Sequence, residues 1–267
     1  MVIRYWYLLL LCICLPSCAF QPAIDKDGVI HEQPTTKVLK NYGLRAFKKF
    51  KAGKAISKDP QYNKQVERVS ERLKKAISIP ETEWEFVVFK DRSPNAFALP
   101  GGKVGIFSGL FHLISDPDQE RSDALLAAVL GHEISHATVK HAEKRMYRAI
   151  TTALIGGALW YGLEQKTSES PERSLAAYTL GSYIADSLPL SRFQEYESDK
   201  IGAIYMAKAG YDPRESLELW HRLSKHHVKF KKSIPNLLRT HPPDETRIMR
   251  LENFMPIATQ VYKNHQE

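Results

Sequence analysis

Two histidines and a glutamate form the clearest chemical pattern in this sequence. His132, Glu133 and His136 make an H-E-x-x-H run. On a helix that turns about 100° per residue, its two histidines lie about 40° apart on one face. Two imidazoles one turn apart can bind a single zinc ion, and the neighbouring glutamate can then act as general base on a water activated by the metal. The run predicts a zinc hydrolase, provided that a third ligand lies elsewhere in the chain.

The residues around this run favour a metal site over a chance match on a solvated helix face. The apolar-periodic stretch from Leu125 to Met146 predicts one helix that carries the motif, and histidines on a buried helix need partners. A third histidine, His141, follows His136 by five residues, which is about 140° around a continuous helix. On such a helix it cannot reach the same metal ion. The apolar residues before the motif are Leu125, Leu126, Ala128, Val129 and Leu130.

An acidic segment further along the chain is the best source of a third ligand. In SRFQEYESD (residues 191–199), Glu195 and Asp199 are four residues apart and share a helix face, whereas Glu197 lies on another face. One of the two carboxylates can bind zinc while the other accepts the outer N–H of a ligating histidine and fixes its ring. Without a metal helix, the same residues would be an ordinary solvated acidic turn.

The surrounding pattern predicts an α+β fold, mainly helical, with a small β-sheet beside the metal helix. Apolar spacing favours helices over Thr36 to Lys58 and from Pro60 to about Ser78, and extended segments at Trp84 to Phe89, Asn95 to Leu99 and Lys103 to Phe107. An edge strand near a zinc site can bind an extended peptide through main-chain hydrogen bonds, although the same residues can also form a hairpin that only supports the helix. The candidate substrate-binding residues are Asn95, Ala96, Phe97 and Ala98.

The first residues resemble an export signal. Arg4 precedes an apolar run from Tyr5 to Leu15, which is short for a membrane span and suits a secretory signal. All three cysteines lie within the first 18 residues, so the rest of the chain has no disulfide framework. Leu15-Pro16-Ser17-Cys18 resembles a bacterial lipobox, which makes Cys18 a candidate for lipidation, and Ala19 after it resembles an outer-membrane sorting signal. A plain signal peptide cut near Ala19 is the alternative.

These observations give a domain organisation of a signal peptide over residues 1–18, a tether over 19–34 and a single zinc metallopeptidase domain over 35–267. The net charge is +8, and +7 once Arg4 leaves with the leader. We expect no nucleic-acid partner, because the basic residues are scattered and no base-stacking or groove-reading motif accompanies them. The uncharged stretch 149–163 is short for a membrane span and predicts a core helix, a cap over the site or a segment at a membrane surface.

Three motifs in the same order resemble the HtpX-type zinc metallopeptidases, gluzincins that pair HExxH with a downstream Glu. They are NAFALPGG, HEISH and SRFQEYESD, and the resemblance covers roughly residues 60–255. It is closest to the soluble or lipid-anchored BepA-type members and the mitochondrial Oma-type relatives. The resemblance implies a zincin-like domain with one zinc ion per chain, bound by His132, His136 and Glu195, with Asp199 supporting the ligands from behind.

The resemblance also implies a role for one further residue. His241, in a Thr-His-Pro-Pro run, corresponds to a residue that contacts the zinc site, where it either stabilises the oxyanion or gates access. Glu133 and His241 are thus the candidate catalytic residues. A solvent-exposed loop residue is the alternative for His241.

The implied function is a zinc-dependent metalloendopeptidase of the cell envelope that hydrolyses misfolded or unassembled envelope proteins. Its expected place is the periplasmic side of a bacterial envelope, as an outer-membrane lipoprotein, with unfolded proteins and the membrane as partners. The alternative is a chaperone-like or scaffold envelope protein with latent or minimal proteolysis. Oligomeric state is left open by the sequence.

Overall fold

A computed structural model describes residues 22–79, 81–147, 151, 192–229, 241 and 245–266 of the 267-residue chain. Its helices are α1 (Lys37–Gly53), α2 (Pro60–Lys75), α3 (Gly109–Ile114), α4 (Gln119–Thr138), α5 (141–147), α6 (192–208), α7 (Glu215–Lys229) and α8 (Glu245–Gln266). Its strands are β1 (Glu85–Phe89), β2 (Ala96–Leu99) and β3 (Lys103–Phe107). The predicted α+β, mainly helical architecture is confirmed.

The three strands form one small sheet in the order β1-β3-β2. β3 runs parallel to β1 and antiparallel to β2, so that Gly105 faces Val87 on one side and Phe97 on the other. Gly101 and Gly102, at φ 83° and 78°, turn the chain between β2 and β3, in a backbone region that favours glycine. β2 is therefore an edge of this sheet.

Local capping fixes where two of the helices begin. Asp59 accepts hydrogen bonds from the N–H groups of Gln61 and Tyr62, and Pro60 occupies the first turn of α2. Asp118 accepts from the N–H of Glu120 and starts α4 in the same way. The second of these caps fixes the start of the helix that carries the HExxH motif.

The first predicted helix ends earlier than its sequence suggested, at Gly53 instead of Lys58. Lys54 is extended (φ −135°, ψ 135°), and Ile56 then forms a β-bridge with Phe89. The N–H of Ser57 also donates to the carbonyl of Val88 at 2.8 Å. Pairing with the sheet edge outweighs the local preference of this lysine-rich segment for helix.

The prediction of a single helix from Leu125 to Met146 is wrong. α4 ends at Thr138, and Lys140 takes a left-handed conformation with φ 58° before α5 begins. The hydroxyl oxygen of Thr138 lies 3.1 Å from the carbonyl oxygen of Ser135 and 2.9 Å from the hydroxyl oxygen of Tyr205. These contacts hold the chain at the break, which redirects His141.

The core surrounds α4, whose residues are buried without interruption from Ser122 to His136. The helix contacts α2, α7 and β2. A separate aromatic cluster of phenylalanine side chains lies between α1 and the sheet. The HExxH motif is therefore held on a buried helix of the described core.

Residues 22–34, here named the N-terminal strap, lie against this domain. Ala23 and Ile24 are buried, and the N–H of Gln33 donates to the carbonyl of Thr138 at 2.9 Å. The hydroxyl of Tyr205 donates to Glu32 at 2.9 Å. The strap thus contacts the end of the metal helix.

Three of the features predicted from the sequence lie outside the described residues: the signal peptide over 1–18 with Cys18, the first part of the tether, and the uncharged stretch 149–163 apart from Thr151. Within the described ranges, no helix combines the length and the apolar character needed to cross a membrane.

Candidate metal centre

A close approach of two glycines brings the acidic segment to the HExxH helix. A Cβ atom on Gly131 would lie 3.0 Å from the carbonyl oxygen of Gly202, and one on Gly202 would lie 2.9 Å from the backbone nitrogen of His132. Because both residues are glycines and have no Cβ atom, α4 and α6 can approach this closely. The contact places the first turn of α6 over the histidines of α4.

Four side chains converge at this crossing. Ligand atoms of His132, His136, Glu195 and His241 all lie within 4.8 Å of one another. Nε2 of His132 is 3.2 Å from Nε2 of His136 and 3.2 Å from Oε2 of Glu195. Nε2 of His136 is 3.4 Å from Oε1 of Glu195. The structure therefore brings together all three residues predicted as ligands.

The geometry of this group fits a zinc ion. Bonds of about 2.0–2.1 Å in a tetrahedral site separate the ligand atoms by about 3.4 Å, close to the 3.2–3.4 Å separations among His132, His136 and Glu195. Two imidazole nitrogens and one carboxylate are also a donor set that zinc hydrolases use.

The charges around the site also favour a bound cation. Glu133, Glu195 and Asp199 are buried together, and Arg247 is the buried cation that contacts two of them. Burial alone would raise the pKa of Glu195, but the neighbouring histidines hold it well below its usual range. Arg247 likewise holds the pKa of Asp199 below its ordinary value against the effect of burial, so Glu195 and Asp199 are carboxylates that a cation in the site would help to neutralise.

His132 is held from behind by an ionic pair. Its Nδ1 lies 3.0 Å from Oδ1 of Asp199, and Arg247 donates to the same carboxylate at 2.7 and 2.9 Å. Burial lowers the pKa of His132, but Asp199 and Glu195 outweigh it and raise that pKa to about 9. Arg247 itself stacks over the ring of Trp220 at 3.8 Å.

His136 is held from behind by a different arrangement. Its Nδ1 lies 2.8 Å from Nδ1 of His141, whose Nε2 is 3.0 Å from Oε2 of Glu197. His141 is absent from the group that could bind a metal, as the sequence predicts. The reason differs, because the helix breaks at Lys140 and places His141 directly behind His136.

Glu133 lies beside the ligands with one oxygen engaged and one not. Oε2 accepts the N–H of Ala98 at 3.2 Å. Oε1 is buried and has no hydrogen-bond partner among the described residues, although Nε2 of His241 is 3.3 Å away. Burial raises the pKa of Glu133 against the opposing effect of the two nearby histidines.

His241 lies inside the cluster. Its Nδ1 is 2.7 Å from Oε2 of Glu195 and 3.2 Å from Nε2 of His132. Its side chain is 12% exposed, so the exposed-loop alternative does not describe its position in this structure.

The residues predicted to bind substrate lie at the sheet edge beside Glu133. Ala96, Phe97 and Ala98 belong to β2, and Asn95 precedes them. The ring of Phe97 packs in the aromatic cluster, and the N–H of Ala98 already faces Glu133. The structure thus places the backbone of this strand, more than its side chains, next to the cluster.

Sequence patterns gave no sign of three residues that contact the site. In the sequence, Arg247 is one of several basic residues near the C-terminus, and Trp220 is one apolar residue in a stretch that mixes apolar and polar residues. Helix phase correctly places Glu197 on a different face from Glu195 and Asp199. Its contact with His141 depends on the break after α4, which helix phase does not predict. Neither helix phase nor apolar spacing in the sequence indicates these contacts.

Comparison with known proteins agrees with this geometry. Residues 60–255 match the family described as Peptidase family M48. The chain belongs to peptidase family M48. Members of this family are zinc-dependent metallopeptidases, which confirms the zinc predicted from the motifs and identifies residues 60–255 as a metallopeptidase domain.

Several relatives of the chain carry metalloendopeptidase or protease names. Mitochondrial metalloendopeptidase OMA1 of Schizosaccharomyces pombe is 33% identical over 241 residues, which are 88% of this chain and 63% of the relative. A Vibrio cholerae protein named as a beta-barrel assembly-enhancing protease is 29% identical over 254 residues, 90% of this chain and 50% of the relative. The beta-barrel assembly-enhancing protease of Escherichia coli is 27% identical over 197 residues, 73% of this chain and 39% of the relative. The chain thus spans between 39% and 63% of the length of these relatives.

Proposed function

We propose that the chain is a zinc metalloendopeptidase whose metal is bound by His132, His136 and Glu195. The observation that carries the proposal is a cluster of two imidazole nitrogens and one carboxylate within an M48 peptidase domain, in which the nitrogens lie 3.2 Å apart and each is 3.2–3.4 Å from an oxygen of Glu195. Asp199 holds the ring of His132 in the direction that metal binding needs.

His132, His136 and Glu195 would hold a zinc ion, which would supply Lewis-acid polarisation of a peptide carbonyl and a lowered pKa of water. Glu133 is the general base: its buried Oε1, without a hydrogen-bond partner among the described residues, can accept the proton from water. The same oxygen can then pass that proton to the leaving amine. The hydrogen bond from Ala98 fixes the other oxygen and so holds the carboxylate in place.

The substrate binds as an extended peptide along the outer edge of β2, with Asn95, Ala96, Phe97 and Ala98 as the contact residues. The support is the position of this strand, at a sheet edge and in contact with Glu133. Main-chain pairing of this kind reads little sequence, which suits a protease that acts on many unfolded chains.

His241 gates the site in this proposal. Its Nδ1 lies among the ligand atoms, in contact with both Glu195 and His132, where it would compete with a substrate carbonyl or water. Movement of His241 out of the cluster would open the site, and the same side chain could then donate to a developing oxyanion.

Proteolysis of casein by the purified chain tests the activity. Glu133→Gln should retain zinc and lose at least about 10²-fold in cleavage rate, whereas Glu195→Ala should lose zinc. A chelator should stop cleavage by the wild type, and added zinc should restore it. Cleavage by Glu133→Gln at the wild-type rate would refute the assigned base.

We further propose that the protein acts in a bacterial envelope on misfolded or unassembled envelope proteins, anchored through lipidated Cys18 to the periplasmic face of the outer membrane. The support is the leader with its lipobox-like LPSC sequence and the relatives named for β-barrel assembly. Fractionation of wild type beside Cys18→Ser tests the anchor: the variant should leave the membrane fraction. Equal membrane association of the two proteins would exclude lipidation at this position.

The position of His241 also favours a second candidate, an envelope chaperone or scaffold with latent proteolysis. With Nδ1 of His241 2.7 Å from Glu195, the site is closed to substrate in this conformation. His241→Ala distinguishes the two: a latent protease should cleave casein faster once the side chain is gone. A protein that binds unfolded chains with no cleavage in either form would be a scaffold.

A further inference from the structure

Two buried residues behind His136 have no part in the chemistry proposed above. His141 is fully buried and Glu197 is 5% exposed. Together they link Nδ1 of His136 to a carboxylate, through separations of 2.8 Å and 3.0 Å between the paired atoms. A buried imidazole and carboxylate need a reason for their place, because each is costly to remove from water without partners.

One arrangement of protons satisfies both contacts in the series from His136 through His141 to Glu197. If Nε2 of His136 keeps its lone pair for a metal, Nδ1 carries the proton and must donate. Nδ1 of His141 then accepts, so neutral His141 carries its own proton on Nε2 and donates it to Glu197. The ring of His136 is thereby fixed in both tautomer and direction, as Asp199 fixes His132 directly.

The chain of contacts ends on the N-terminal strap. Oε1 of Glu197 accepts the backbone N–H of Ala23, the residue at which the strap enters the core. A second link ties the strap to the same end of α4, where the N–H of Gln33 donates to the carbonyl of Thr138 at 2.9 Å. The described residues thus connect the strap to a ligand of the metal through three hydrogen bonds.

We propose that His141 and Glu197 are positioning residues for His136, and that docking of the N-terminal strap completes the hydrogen-bond chain on which zinc affinity depends. The proposal rests on the ligand set given under the proposed function. Displacement of the strap would release Glu197, then His141, and leave His136 free to rotate away from the metal.

Zinc affinity of the full chain, measured by competition with a metal-binding dye, tests the inner links. His141→Phe keeps the ring but removes both nitrogens, and we expect about 10- to 100-fold weaker zinc binding. His141→Gln should recover most of the affinity, because its amide offers an acceptor and a donor. His112→Phe, at an exposed histidine of α3, is the matched control and should bind zinc like the wild type.

A spectroscopic measurement separates positioning from general loss of structure. The visible absorption of the cobalt-substituted protein should shift in His141→Phe and return in His141→Gln, while circular dichroism of the metal-free proteins stays the same. Zinc affinity of His141→Phe within threefold of wild type would overturn the proposal. So would a glutamine variant no better than the phenylalanine variant.

The strap is tested by a pair of substitutions at one position. Ala23→Pro removes the N–H that donates to Glu197, whereas Ala23→Gly keeps it. We expect the proline variant to bind zinc several-fold more weakly than the glycine variant. Equal affinities would show that the hydrogen bond from the strap to Glu197 does not contribute to zinc binding.

His136→Ala distinguishes failure of this proposal from failure of the ligand set. If it abolishes zinc binding while His141→Phe does not weaken it, the ligand set stands and the positioning role is wrong. If His136→Ala binds zinc like wild type, both are wrong.

Discussion

The two histidines of the HExxH motif are supported by unlike surroundings. Behind His132 lies an ion pair, in which Asp199 accepts from Arg247 on α8 at 2.7 and 2.9 Å. Behind His136 lies a chain of hydrogen bonds through His141 and Glu197 to the N-terminal strap. The first support is charged and comes from the C-terminal helix, and the second is anchored in the first residues of the described chain.

Because the two supports differ in charge, loss of each should affect the protein differently. An ion pair that loses one member leaves a buried charge behind, which costs several kcal/mol. A hydrogen-bond chain that loses one link leaves mainly an unsatisfied polar group, which costs less. We therefore expect the His132 side to govern folding and the His136 side to govern metal affinity.

Asp199→Ala should have the largest effect on stability. It removes the carboxylate that pairs with Arg247 in a bidentate contact and leaves this buried cation with its contact to Glu195 at 3.2 Å, and we expect a cost of about 3–5 kcal/mol. Glu197→Ala on the other side should cost only about 1–3 kcal/mol. Urea unfolding of the two metal-free variants measures both costs. Equal losses in the free energy of unfolding would show that the two supports do not differ in their effect on stability.

Removal of zinc should destabilise the protein next most strongly, because the metal links the two sides. At free zinc 100-fold above the dissociation constant, binding adds about 2.7 kcal/mol to the free energy of unfolding. Thermal unfolding with and without a chelator measures this. In His132→Ala and in His136→Ala the chelator should have little effect, and an undiminished effect in either would show that this side does not bind the metal.

Gly202→Ala tests the contact that both sides share. Its new methyl group would lie 2.9 Å from the backbone nitrogen of His132, so the helices must separate at a cost of about 1–3 kcal/mol. Zinc affinity should fall as well, because Glu195 and Asp199 both move with α6. Gly53→Ala, where a Cβ atom meets nothing within 4 Å, is the control, and equal behaviour of the two variants would exclude a tight crossing.

The smallest expected effect is a pH dependence on the His132 side. Burial raises the pKa of Asp199, but the charge of Arg247 outweighs it and holds that pKa below its ordinary value. A carboxyl with a lowered pKa in the folded state stabilises fully above its unfolded pKa of about 3.9 and loses this contribution as pH falls towards the folded value. The stability gap between wild type and Asp199→Asn, measured without metal, should therefore narrow below about pH 4. A gap that widens there would contradict the assigned direction.

Local periodicity determined much of this protein. The spacing of His132 and His136, and of Glu195 and Asp199, follows from helix geometry alone, and the strand and helix patterns predicted the α+β fold. These features depend on neighbours within one turn or one strand, so the sequence displays them directly.

Tertiary structure alone determined the supports behind the ligands. Lys140 adopts a left-handed conformation that breaks the predicted helix and turns His141 towards His136. Arg247 reaches Asp199 from a helix 48 residues further along the chain, and Ala23 reaches Glu197 across 174 residues. Such contacts follow from how buried charges and hydrogen-bonding groups find partners in a packed core, which no periodicity in the sequence records.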